Sequence, residues 1–172
     1  MENFVNILKK EKGFTIIEVV LVLAIAGLIF MMVFLALPAL QRSQRDTQRK
    51  QDLSRAMMAI NNYTSSNRGS LPTLDSNFVK SYLSVGGDTF IDPSGANTVA
   101  TPDAKTYTFT VSSSKTTPVL PASFDSKDTQ NVIYYTTSAV CGAGGGDTVA
   151  DGTRKIALRM YLEGGGVACQ NN

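Results

Sequence analysis

Val19 to Leu40 form a run of 22 residues without a charge, and this run limits what the rest of the chain can be. As an α-helix rising about 1.5 Å per residue it covers roughly 33 Å, close to a hydrocarbon core of about 30 Å. Three readings compete for it. A secretory signal would use Lys9, Lys10 and Lys12 as its basic start and Ala24-Ile25-Ala26 as a small-x-small cleavage site. Leu28 to Leu37 would then open the mature protein with a segment as apolar as the one removed. A plain single-pass anchor meets a different difficulty. Arg42, Arg45, Arg49, Lys50 and Arg55 follow the run, so charge counting places the large C-terminal part in the cytoplasm.

The third reading rests on Lys12-Gly13-Phe14-Thr15-Ile16-Ile17-Glu18. A lone carboxylate at the start of an uncharged span is costly, and ionisable groups there default to a functional role. The heptapeptide and the apolar run after it closely resemble the class III signal of type IV prepilins and pseudopilins: a short basic leader ending in Gly, then Phe-Thr-x-x-Glu. The resemblance implies that a prepilin peptidase cuts after Gly13 and methylates the new amino group of Phe14. It also implies that Glu18 serves assembly, and that the part after Arg42 lies outside the cytoplasm, against the charge count.

Past the span, Leu53, Ala56, Met57, Ile60 and Tyr63 recur every three or four residues, which predicts that the helix continues to about Ser66. Asp46 can reach Arg49 and Lys50, and Asp52 can reach Arg55, along one helix. The charged run from Arg42 to Arg55 therefore reads as a solvated face. A net charge of +2 gives no bulk attraction to nucleic acid, and no such partner is expected. Gly27 and Pro38 weaken the helix inside the span. By resemblance to pilin filaments, they are candidates for local melting on assembly.

Asn67-Arg68-Gly69-Ser70-Leu71-Pro72 should end the helix. Together with Tyr63 it loosely resembles a pseudopilin segment. Asp75 or Ser76 could cap a short helix through Leu83, closed by Gly86-Gly87. Asp92-Pro93-Ser94-Gly95 is a turn by its chemistry, and it resembles the Asp-Pro-x-Gly turn of the same family. Strand signals are densest at 106–111, 132–140 and 155–162, while 96–105 and 112–126 read as long loops. With no long helix between the strands, an antiparallel sheet is expected. The fold class is α+β: a long N-terminal helix packed on a small antiparallel sheet domain. Its segments are a leader over 1–13, a span over 14–40, an amphipathic continuation over 41–66 and an extracytoplasmic β domain over 67–172.

The chain has no histidine, which removes the commonest general base and metal ligand. No phosphate-binding glycine loop and no activated nucleophile are present, so no enzyme activity and no cofactor are expected. Cys141 and Cys169 are the only cysteines; outside the cytoplasm they should pair, and a closed C-terminal loop also fits the resemblance. Asp147 and Asp151 in the glycine-rich stretch are weak calcium candidates, since calcium takes six to eight oxygens. The resemblance implies a pilus subunit held in the membrane, then lifted by an assembly platform and its ATPase into a filament of copies of itself. A pseudopilin of type II secretion or DNA uptake is the alternative within the family. Outside it, the alternative is a membrane-anchored surface binding domain.

Overall fold

The computed structural model describes residues 13–87, 89–93, 106–112, 131–144 and 146–172. The leader up to residue 12, the loop 96–105, the loop 112–126 beyond Ser112, and Ser94-Gly95 of the expected turn lie outside these residues. The chain forms two compact units, Met1–Leu40 and Gln41–Asn172. Helix α1 runs from Ile16 to Ser66 and is helical through Pro38. In the first unit its side chains are exposed, Leu35 by 81%, and the helix is long and apolar enough to cross a membrane.

In the second unit, residues 41–66 of α1 pack on a sheet. The helix stops in a Schellman arrangement: Gly69 N donates to Thr64 O at 2.8 Å, and Arg68 takes the left-handed conformation, φ 54°. Glycine is usual at that position, and a side chain there costs about 1–2 kcal/mol. Asp75 then caps α2 (Ser76–Phe78), its carboxylate accepting from Phe78 N at 2.8 Å. A π-turn over Val79–Leu83 follows and is capped at Ser84 rather than at the expected glycines; Gly86 and Gly87, at φ 71° and 89°, lie in the short turn Val85–Gly87 after it.

Among the described residues six strands follow: β1 (Thr108–Val111), β2 (Val132–Thr137), β3 (Ala139–Cys141), β4 (Thr148–Ala150), β5 (Ile156–Tyr161) and β6 (Val167–Asn171). The main sheet has the order β1-β2-β5-β6, and β3-β4 form a separate ribbon. The pairs β2-β5 and β5-β6 are antiparallel, as expected, whereas β1 joins β2 in parallel. A parallel neighbour needs a crossover of a dozen residues or more, and the long interval from Ser112 to Asn131 supplies that length. Strands β4 and β6 were not expected; each is short, and glycines flank them.

Strand β5 is buried at every position. Ile156, Leu158 and Met160 alternate onto the core with Leu53, Ala56, Met57 and Ile60 of α1, joined by Phe78, Leu83, Phe90 and Ile133. Arg159 points to the other face. It donates to Ser112 Oγ and Thr136 Oγ1 at 3.0 Å each, and to Gly146 O between β3 and β4 at 3.2 Å. Burial pulls its pKa below the usual arginine value.

The charged run on α1 is only in part a solvated face: Arg42 and Lys50 are exposed, but the residues on the sheet side are not. Asp46, Arg49 and Asp52 are buried, Arg49 completely. Arg49 grips Asp92 with two bonds of 2.7 and 2.9 Å, and also meets Asp46 at 3.1 Å and Glu163 at 2.8 Å. Arg45 holds Glu163 at 2.6 Å. Asp46 in turn accepts from Glu163 N and Gly164 N at 2.8 and 2.7 Å. A Cβ on Gly164 would stand 3.1 Å from that carboxylate, which explains the glycine. Nearby, Asp52 accepts from Tyr107 Oη and Arg55, both at 3.2 Å.

Two predictions follow from this cluster. Asp92→Ala strands a buried guanidinium and should lower stability by about 3–5 kcal/mol, read by denaturant unfolding of the full chain in detergent. The second concerns acid. Burial raises the Glu163 pKa, but hydrogen bonds from Arg45 and Arg49 outweigh it and hold the carboxyl below its ordinary value. A depressed folded-state pKa gives stability that is present above the unfolded value, about 4.3, and lost as pH falls through the folded one. Asp52 runs the other way, because burial raises its pKa. Glu163→Gln should therefore flatten the acid limb below about pH 4.5 relative to the parent chain. An unchanged acid limb would remove Glu163 from the account.

Candidate functional site

At the head of α1, Thr15 and Glu18 close a reciprocal capping box. Thr15 N and Thr15 Oγ1 donate to Glu18 Oε2 at 2.9 and 2.8 Å, and Glu18 N donates back to Thr15 Oγ1 at 3.3 Å. This satisfies donors that the first turn of a helix leaves open, and it places a negative charge at the positive end of the helix dipole. The carboxylate thus has local partners at the start of an apolar span, which lessens what it costs there. Sequence reasoning missed the role of Thr15; Thr-x-x-Glu before an apolar run is the capping-box signal that could have found it.

Gly13 and Phe14 precede the helix outside any regular element, Phe14 being 88% exposed. A Cβ on Gly13 or Gly27 would touch nothing within 4 Å. Among the described residues, packing therefore requires neither glycine. The helix is unbroken across Gly27 and Pro38.

At the other end of the sequence, Cys141 and Cys169 are joined, with Cα atoms 5.9 Å apart. The register pairs Cys169 with Arg159, so the bond ties the β3-β4 ribbon to the outer face of the main sheet. The glycine-rich stretch closes that ribbon through Gly142 N to Asp147 O at 2.8 Å. The Asp151 carboxylate accepts from Gly152 N at 2.7 Å. Among the described residues no three His, Cys, Asp or Glu side chains gather to hold a metal.

Residues 8–34 match the family model of the prokaryotic N-terminal methylation motif, the class III signal of type IV pilins and pseudopilins. Neither a curated protein nor a solved structure matches the chain. The chain therefore carries a pilin-type N-terminal signal on an α+β, pilin-like architecture. The motif points to a structural subunit, and with the apolar helix it points to a membrane-anchored precursor.

The disulfide makes a measurable claim. The two cysteines lie 28 residues apart, and closing that loop constrains the unfolded chain by about 3–4 kcal/mol. Cys169→Ser should lower the unfolding midpoint accordingly, and reduction of the parent chain should reproduce the loss. A variant as stable as the oxidised parent would show the ribbon to be held by packing alone.

Proposed function

We propose that this chain is the structural subunit of a type IV pilus-like filament, and the methylation motif over residues 8–34 carries that reading. In it, residues 1–13 are a leader removed by a prepilin peptidase after Gly13, and Phe14 becomes the methylated first residue. Residues 14–40 store the processed subunit in the membrane and later form the filament core. Residues 41–172 lie outside the cytoplasm. A platform and its ATPase lift the subunit from lipid into the filament, where helix-on-helix packing replaces lipid contacts. Gly27 and Pro38 are where α1 would unwind to fit that packing. The disulfide supports a subunit exposed to an oxidising exterior. A pseudopilin of secretion or DNA uptake is a second reading, favoured by the resemblance of Asp92-Pro93-Ser94-Gly95 to the Asp-Pro-x-Gly turn of pseudopilins. A surface filament made of this chain decides for the pilus.

Glu18 has a defined task in this scheme. Cleavage creates an α-amine on Phe14 with an ordinary pKa near 7.7–8.0, largely protonated at neutral pH, and methylation keeps the charge. An amine drawn into an apolar core without a partner is costly, as is an unpaired carboxylate, and each offsets the other. Loss of one leaves a penalty of about 3–5 kcal/mol, whereas loss of a helix cap costs about 1 kcal/mol. The expected outcome is therefore graded. The parent chain should lose residues 1–13 and gain one methyl by mass spectrometry. Glu18→Ala should be processed but form little sheared filament, and Thr15→Ala should form filament nearly as well as the parent. An intact Met1 in the mature protein ends the pilin reading; normal filament from Glu18→Ala ends the pairing role.

A further inference from the structure

The far end of α1 holds a cleft of about 460 Å³. It lies between Ser65, Arg68 and Gly69 on one side and Arg154, Lys155 and Asn172 on the other. Three of these residues are cations, in a chain whose net charge is only +2. Among the described residues, neither Arg68 nor Arg154 forms an ion pair. Lys155 is engaged, its Nζ donating to Asn172 O at 2.9 Å. The Asn172 side chain fastens the turn beneath: its Nδ2 donates to Arg154 O at 3.0 Å, and its Oδ1 accepts from Ile156 N at 2.9 Å.

Backbone geometry sets the Arg154 guanidinium against the turn that carries Arg68. A Cβ built on Gly69 would stand 3.2 Å from Cζ and Nη1 of Arg154, so that guanidinium rests against the Gly69 main chain. The adjoining residue is Arg68, at the left-handed position that glycine ordinarily fills. Both exposed arginines line one cleft and neither has an ion pair among the described residues, an arrangement that an anion would relieve.

We propose that this cleft binds a phosphate group. Guanidinium forks match phosphate and carboxylate oxygens in pairs. Two of them favour the more highly charged phosphate, at about −1.5 to −2 for a monoester. Two free cations are too few for a nucleic-acid duplex, whose binders meet about 6–10 phosphates. The phosphate is either a free ion or a residue of a phosphodiester polymer. The bland rival is that Arg68 only complements the carbonyl end of the α1 dipole.

The test titrates the full chain in neutral detergent, by calorimetry, with inorganic phosphate and separately with poly(glycerol phosphate). Saturable binding of the first alone identifies a free or monoester ligand, and tighter binding of the second identifies the polymer; either supports the site. Arg154→Gln should weaken binding about tenfold. Arg68→Gly is the decisive variant, because it relaxes the turn while removing a cation. It should fold at least as well as the parent and also bind about tenfold more weakly. Binding of neither probe, or binding untouched in both variants, overturns the proposal. No filament is needed for this measurement, so its failure and that of the assembly reading are separate results.

Discussion

A guanidinium with no exposure to water needs acceptors for its donors, and Arg49 meets that need with one acceptor from its own helix and by drawing two other segments onto one helix position. Asp46 comes from its own helix, Asp92 from the turn after the α2 region, and Glu163 from the connection between β5 and β6. Apolar packing of Leu53, Ala56 and Ile60 on β5 supplies attraction, but that attraction is not directional. A helix could slide or turn against such a surface at small cost. The two-bond grip on Asp92 and the Asp46 bonds to Glu163 N and Gly164 N do not tolerate such a slide. Buried ion pairs are weak evidence for net stability, and fixing one arrangement among several is the role that suits this one.

The same cluster marks the limit of what was legible in the sequence. The long helix, its end near Asn67, the short capped helix after Asp75 and three of the strands follow from periodicity and turn chemistry. The buried charges do not, because at i,i+3 spacing Asp46 and Arg49 look like an ordinary surface pair. Yet Asp46 and Arg49 continue, at three- and four-residue steps, the stripe made by Leu53, Ala56 and Ile60. Their position on the stripe was readable; the partners Asp92 and Glu163, far along the chain, were not. The parallel β1 was hidden for a similar reason, since strand direction depends on a path between strands that local propensity does not specify. At the N-terminus the motif was fully legible, because its elements are contiguous.

The outer face of the sheet is covered differently from the helix face. The β3-β4 ribbon is a two-stranded hairpin of short strands, and such a unit is marginal alone in water. Packing and main-chain bonds help to hold it, and two side-chain attachments add to them. Arg159 sends one donor to Gly146 in the ribbon's own loop, and the disulfide fixes the end of β3 to β6. One attachment is polar and buried, while the other is covalent and confined to oxidising surroundings. A ribbon of this kind need not be large enough to carry its own core.

Glu18 poses a last physical question: how one carboxylate could serve both the helix cap and the proposed filament. Both bonds from Thr15 end on Oε2, and among the described residues Oε1 has no donor. A carboxylate offers about four lone-pair sites, so the cap leaves room for a further donor on Oε1. The cap also fixes where that oxygen sits, which lowers the entropy lost when a second group arrives. In the proposed filament the arriving group is the Phe14 amine of an incoming subunit. A side chain held at one oxygen and open at the other suits that role better than a free rotor, and better than a carboxylate already saturated by its own chain.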